Sequence, residues 1–88
     1  METSVLMHYR PELVNLSVAG DGNYTPFASQ ALRKGIGWTP RNWAKVSQDT
    51  GIGNPHKSTS EKGKKYAKAV VCKLADLFID LANGVIYK

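Results

Sequence analysis

The residues of this sequence that could bind a metal are few and widely spaced. The two histidines, His8 and His56, lie far apart, and no second His or Cys stands at a ligand spacing from either one. A zinc-type site requires three or four such side chains to converge. The single cysteine, Cys72, excludes an internal disulfide and a cysteine-rich zinc site. We therefore predict no metal ligand in this chain.

A glycine-rich turn, Gly51-Ile52-Gly53-Asn54-Pro55, follows Thr50. Closely spaced glycines allow backbone amides to approach an anion, which is how phosphate-binding loops work. The dinucleotide fingerprint also needs a third glycine between a strand and a helix, and the Walker motif needs Gly-Lys-Ser/Thr. Both features are missing here. A structural turn that leads into the last helix is the favoured interpretation.

Two large aromatic residues, Trp38 and Trp43, lie in a segment rich in glycine and proline. Large aromatics in such loops often line a pocket or an interface, and they also serve in ordinary core packing. We take both as candidate substrate-binding residues. Core packing is the open alternative.

The clearest secondary-structure element is a C-terminal helix over about residues 59–82. Ser58-Thr59-Ser60-Glu61 resembles a capping box, in which Ser58 would cap the helix and Glu61 would reach back to it. Asn83-Gly84 supplies the stop signal. Apolar residues recur at helical spacing on one side of this segment: Ala67, Val70, Val71, Leu74, Leu77, Phe78 and Leu81. Such a stripe requires a sheet or other helices to pack against.

A shorter helix is predicted over about residues 2–10, where Glu2 suits a helix N-terminus and Pro11 disfavours continuation. Between the helices lies a glycine- and proline-rich loop region, residues 20–57. We expect a helical turn near 28–32 and short strands at 42–46 and 36–38. These are too few strands for a separate sheet, so residues 1–88 are predicted to form a single partial domain.

The net charge of +5 and the isoelectric point near 9.5 raise the question of nucleic-acid binding. Five basic residues lie in the last helix: Lys62, Lys64, Lys65, Lys68 and Lys73. Lysines on the outer side of an amphipathic helix usually keep it soluble, and we favour that interpretation over a phosphate-binding surface. No apolar run approaches the roughly 20 residues needed to span a bilayer. No signal peptide is evident, so a cytoplasmic location is expected and no membrane partner.

Three stretches, in order, resemble the C-terminal part of the creatininase (creatinine amidohydrolase) family. The first is Glu2-Thr3-Ser4-Val5-Leu6-Met7 followed by Arg10-Pro11-Glu12-Leu13-Val14. The second is Thr50-Gly51-Ile52-Gly53-Asn54-Pro55, similar to a family turn that usually carries aspartate where Asn54 stands. The third is Ser58-Thr59-Ser60-Glu61-Lys62-Gly63, similar to the opening of the family's final helix. Together they cover nearly the whole chain.

This resemblance implies an α/β fold, namely the C-terminal portion of a three-layer α/β/α architecture with long loops and few short strands. Family members are metal-dependent hydrolases of cyclic amides and related small molecules, and their two metals activate water and polarise the carbonyl. The zinc or manganese ligands lie in the family's N-terminal part. The resemblance thus implies that this chain needs an N-terminal hydrolase portion or larger subunit, in a homo- or hetero-oligomer. Glu2 is the one residue carried over as a catalytic candidate, with a plain helix-terminal carboxylate as the alternative.

Three functional hypotheses follow. The leading one is a C-terminal fragment or small subunit of a creatininase-like amidohydrolase that is active only when another chain supplies the metal site. The second is a non-catalytic assembly or binding module derived from that family. The third, which we rank last, is a small basic nucleic-acid binder that uses the lysines of the last helix and a stacking tryptophan, with affinity falling steeply as salt rises.

Overall fold

The computed structural model describes residues 1–87, which form four α-helices and three short 3-10 helices. The α-helices are α1 (Glu2–Tyr9), α2 (Gln30–Arg33), α3 (Trp43–Val46) and α4 (Ser60–Ala82). The 3-10 helices are Pro11–Leu13, Leu16–Val18 and Pro55–Lys57. The chain divides into two compact units. The first contains residues 1–15 and the chain from Ser58 onward, and the second is Leu16–Lys57.

The predicted α/β class is wrong for this chain, because residues 1–87 contain helices and no strand. Residues 42–46, predicted as a strand, form α3 instead. Its amides are satisfied locally, as the Val46 nitrogen donates to the Asn42 carbonyl at 3.1 Å and the Ser47 nitrogen to the Trp43 carbonyl at 3.2 Å. Residues 36–38, the other candidate strand, form a bend and irregular backbone. A strand needs a neighbour to accept its hydrogen bonds, and the described chain provides none.

The first unit is built on α4, whose two ends carry clear termination signals. The Thr59 side chain caps the N-terminus by accepting from the Lys62 nitrogen at 3.2 Å. The cap is therefore Thr59 and not the predicted Ser58. At the other end Gly84 has a φ of 69°, its nitrogen donates to the Leu81 carbonyl, and the Val85 nitrogen donates to the Asp80 carbonyl. This pair of bonds is a Schellman motif, which satisfies two carbonyls of the last turn.

Helix α1 crosses the N-terminal turns of α4 at very close range. Ser4 is 3% exposed, and its hydroxyl accepts from the Thr59 nitrogen at 3.2 Å. Facing it, Gly63 is buried and has no room for a side chain, since a methyl group there would lie 2.8 Å from the Val5 nitrogen. Ala67, one turn further along, is 8% exposed. Two small residues on α4 thus allow the backbones of the two helices to touch.

Beyond this crossing, the apolar stripe of α4 is uncovered. Helix α1 has 8 residues and α4 has 23, so they are about 12 Å and about 35 Å long. The shorter helix covers only the first turns of the longer one. Large side chains on the remaining turns stay about half exposed, namely Val71, Leu74, Leu77, Phe78 and Leu81. This uncovered row is called the α4 stripe below.

The second unit, Leu16–Lys57, has no buried core, because none of its residues is buried. Its shape is maintained by isolated hydrogen bonds. The Thr25 nitrogen donates to the Val46 carbonyl at 2.7 Å, and the Gly53 nitrogen donates to the Gly22 carbonyl at 3.1 Å. Loops of this length without a core usually carry a function or lie against a partner.

Within the described part of the chain, no helix is both long enough and apolar enough to cross a membrane.

Candidate functional site

The predicted catalytic residue, Glu2, lies in the first turn of α1 and is exposed. No side chain caps this helix, and Met1 is its N-cap residue. A carboxylate in the first turn interacts favourably with the helix dipole. Such a group can accept a hydrogen bond or attract a cation at this end of the helix. Neither of the two cavities described below includes Glu2 in its lining.

The Arg10-Pro11-Glu12 part of the first matched stretch forms an ion pair. The Arg10 Nε donates to Glu12 Oε1, and this bond lowers the pKa of the Glu12 carboxyl below its ordinary value. Both side chains are mainly exposed to solvent, at 63% and 57%. The pair connects the end of α1 to the 3-10 helix that follows. The ion pair therefore stabilises the turn between these two helices.

The glycine-rich turn is a tight structural turn, held by its own polar groups. Thr50 adopts a φ of 64°, a conformation that is rare for a β-branched residue. The Asn54 side-chain oxygen accepts from the His56 nitrogen at 2.9 Å, and the His56 ring nitrogen Nε2 lies 3.2 Å from the Ala19 carbonyl. The turn has no strand before it, so it lacks the context of a phosphate-binding loop.

Asp49 organises the chain immediately before that turn. Its Oδ1 accepts from the Gly51 nitrogen at 3.0 Å and from the Ser47 hydroxyl at 3.0 Å. The Gly51 amide first, and the Ser47 hydroxyl second, lower the pKa of Asp49 below its ordinary value. A methyl group on Gly51 would lie 3.1 Å from the same Oδ1 atom. The aspartate is thus a structural acceptor in the loop.

The two predicted substrate-binding tryptophans lie on the surface of the second unit. Trp38 is 84% exposed and Trp43 is 43% exposed. The Arg41 guanidinium lies 5.8 Å from the centre of the Trp43 ring, a cation–π distance. Neither indole lines the two cavities of this unit. Both tryptophans belong to the second unit, whereas Glu2 belongs to the first.

Two open cavities lie within the second unit. The first has a volume of about 320 Å³ and is lined by aromatic, aliphatic and basic residues, namely Tyr24, Thr25, Pro26, Phe27, Leu32, Arg33, Arg41 and Val46. The second has a volume of about 430 Å³ and a more polar lining that includes Asp21, Lys45 and Asp49. Sequence reasoning missed Arg33 and Arg41. The signal was available, because no Asp or Glu occurs between Asp21 and Asp49.

The resemblance noted in the sequence implies a metal centre, and the described residues of this chain do not fit one. Within residues 1–87, no group of three or more His, Cys, Asp or Glu side chains converges as a metal site would require. Glu2 is a single carboxylate, and His8 packs its ring against Tyr9 at 4.7 Å. No metal-dependent step can be derived from the side chains that the structure describes.

Comparison with known proteins supplies the context for these features. A family model described as "Creatininase: Creatinine amidohydrolase" matches residues 1–78. A crystal structure from Bacteroides fragilis NCTC 9343, of a protein provisionally named creatinine amidohydrolase, has 53% sequence identity and a TM-score of 0.92. The match covers 99% of this chain and 34% of that one. Among curated proteins, no match was found.

The family match covers most of the chain, and it spans the three stretches noted in the sequence up to Gly63. The structural match shows that the same backbone arrangement occurs within a chain about three times as long. The resemblance seen in the sequence is therefore confirmed. The chain belongs to the creatininase family.

Proposed function

We propose that this chain forms the C-terminal part of a creatininase-like, metal-dependent amidohydrolase, which acts on a cyclic amide or related small molecule. A separate N-terminal portion or larger subunit would carry the zinc or manganese ligands. When bound, the metals would polarise the carbonyl and activate water. This chain would complete the active assembly and contribute no metal ligand of its own.

The observation that supports this proposal most directly is the exposed α4 stripe. Its five large side chains are each about half exposed. Complete burial of a large apolar side chain stabilises a protein by about 1.5–3 kcal/mol, so covering the stripe would contribute about 5 kcal/mol. An apolar row of this size is typical of a surface that another segment covers. The lysines lie on the polar side of α4, so the stripe is the side of the helix on which a partner would pack.

The length of the related protein supports the same inference. The Bacteroides protein continues well beyond the matched third of its chain. A counterpart of that remainder is the partner that best explains the uncovered surface.

Within the proposed assembly, Glu2 would act through its carboxylate at the start of α1. The resemblance implies that the metal ligands lie outside this part of the chain, so Glu2 would orient a ligand or the substrate. Trp38 and Trp43 would offer apolar surface to the substrate or to the partner, since both indoles are available on the second unit.

Reconstitution tests this proposal. The chain would be mixed with the portion of the Bacteroides protein that it does not match, and the complex measured by analytical ultracentrifugation and by hydrolysis of creatinine as the probe amide. Leu74→Asp would place a carboxylate in the α4 stripe and weaken association at least about 100-fold, because a buried unpaired charge is costly. Lys65→Asp, on the polar side of the same helix, is the matched control and would leave association unchanged.

The outcomes separate the hypotheses. A complex that hydrolyses the probe and loses activity with Glu2→Gln supports the amidohydrolase role. A complex or self-associated chain that depends on Leu74 but hydrolyses no cyclic amide supports the assembly module instead. Equal association of the Leu74→Asp and Lys65→Asp variants would contradict the role of the α4 stripe.

A further inference from the structure

We propose that the 320 Å³ cavity of the second unit binds a small organic acid with a flat apolar body, and that Arg41 binds its carboxylate. The inference is independent of the amidohydrolase proposal, because it rests only on residues of Leu16–Lys57. The volume lies at the lower end of the range for small-molecule sites, about 300–1,000 Å³. Such a site accommodates a ligand about the size of one aromatic ring with a short substituent.

The cavity is built by three short segments that hydrogen bonds hold together. The Thr25 nitrogen donates to the Val46 carbonyl at 2.7 Å, which fixes the Tyr24–Phe27 segment beside α3. Arg33 Nη1 donates to the Phe27 carbonyl at 2.7 Å and to the Ala28 carbonyl at 2.9 Å. These bonds tie α2 to the same segment. The walls are thus positioned by hydrogen bonds to backbone carbonyls, although the unit has no buried core.

The lining combines apolar walls with positive charge. Phe27, Leu32 and Val46 are partly buried and present apolar surface, and Tyr24 adds an aromatic ring. The two charged lining residues are Arg33 and Arg41, and no carboxylate lines the cavity. The surrounding sequence has the same bias, since residues 22–48 contain four basic residues and no acidic one.

The two arginines have different roles in this cavity. Arg33 uses Nη1 to hold the segment, so it is a positioning residue whose charge also favours an anion. Arg41 lies beside the Trp43 ring at 5.8 Å, and no carboxylate pairs with it within residues 1–87. A guanidinium presents a planar set of donors that matches a carboxylate in two parallel hydrogen bonds. Arg41 is therefore the group that would bind the ligand directly.

The apolar walls distinguish a carboxylic acid with an apolar body from a free inorganic anion. Inorganic phosphate would satisfy the guanidinium groups and leave the aromatic and aliphatic surfaces in contact with water. A neutral aromatic molecule would cover those surfaces and leave the positive charge without a counterion. Only a ligand that has both parts uses the whole lining.

The experiment uses the full 88-residue chain and three probes, benzoate, benzamide and inorganic phosphate. Saturation-transfer NMR would measure the binding of benzoate and benzamide. Titration of the tryptophan fluorescence would measure all three probes, because Trp43 adjoins Arg41. Benzoate is expected to bind with a dissociation constant of about 1 mM, which is typical of a ligand this small. Benzamide has the same shape without the charge, and phosphate has the charge without the ring. Each is expected to bind at least about tenfold more weakly.

Variants locate the site. Arg41→Gln would weaken benzoate binding at least about tenfold, and Arg41→Lys would restore only part of it because the planar donor pair is lost. Lys34→Gln removes the same charge at a position outside the lining, and it would leave binding within twofold. Unchanged circular dichroism spectra would show that the variants keep their helices. Equal affinity for benzoate and benzamide, or equal losses in Arg41→Gln and Lys34→Gln, would overturn the proposal.

Discussion

Replacing Gly63 with alanine tests the contact between α1 and α4. Alanine stabilises an isolated helix by about 1 kcal/mol relative to glycine. In this chain, however, the added methyl group would lie 2.8 Å from the Val5 nitrogen and closer still to the Ser4 carbonyl. Both atoms belong to the backbone of α1, so no change of rotamer relieves the contact. Overpacking of this kind costs about 3 kcal/mol, the upper part of its usual range.

The two effects have opposite signs, and the steric effect is the larger one. We therefore expect Gly63→Ala to lower the free energy of unfolding by about 2 kcal/mol, which is the steric cost less the gain in helix propensity. For a chain of this size, that corresponds to a melting temperature lower by about 8–16 °C. Urea and thermal unfolding followed by circular dichroism at 222 nm would measure both quantities.

Two controls separate the steric effect from helix propensity. In a peptide of residues 58–85, which lacks α1, the same substitution would raise helicity because only propensity remains. Gly37→Ala makes the same chemical change where the nearest atom, Leu32 Cδ2, is 3.7 Å away, and it is expected to change stability by less than about 0.5 kcal/mol. A Gly63→Ala chain as stable as the parent would refute the account of close helix contact.

Two further predictions concern polar contacts. Ser4→Ala removes the acceptor of the Thr59 amide and is expected to lower the free energy of unfolding in urea by about 1–2 kcal/mol. The control is Ser60→Ala, because the Ser60 hydroxyl donates only a long bond of 3.4 Å to the Met7 carbonyl. This control is expected to cost less than about 0.5 kcal/mol. Equal losses would contradict this assignment. The pKa of Asp49 is lower in the folded chain than in the unfolded chain, so its bonds stabilise the fold above pH about 4 and are lost as pH falls through the lowered pKa. Carbon-detected NMR titration is expected to give an Asp49 midpoint below that of an unperturbed aspartate, and a midpoint at or above the unperturbed one would contradict the hydrogen-bonding account.

Helix α4 illustrates what the sequence could predict. Apolar spacing and the Asn83-Gly84 pair indicated a helix over about 59–82, and the structure has α4 at Ser60–Ala82. The observed N-cap, Thr59, is one residue after the predicted Ser58, because Ser58, Thr59 and Ser60 are all residue types that can cap a helix. The hydroxyl of Ser4 accepts from the Thr59 nitrogen, so Thr59 remains extended and caps the helix itself. That choice depends on a contact between residues 55 positions apart.

The strands could not be judged from local sequence. Trp43 and Val46 favour a strand by their side chains, yet a strand exists only where a neighbour accepts its hydrogen bonds. In this chain the backbone amides of the segment bond to carbonyls of the same segment and form α3. The close approach at Gly63 was also missed, although a glycine inside a helix, followed four residues later by Ala67, is the pattern that permits it.

Native mass spectrometry of the purified chain with its complementing portion, together with metal analysis of the same sample, tests the central claim most directly. The account predicts a complex of this chain with a larger chain, containing zinc or manganese, and loss of that complex with Leu74→Asp. A metal-free, cooperatively folded monomer that does not bind the larger portion would contradict it, because the chain would then be stable with its α4 stripe exposed to water.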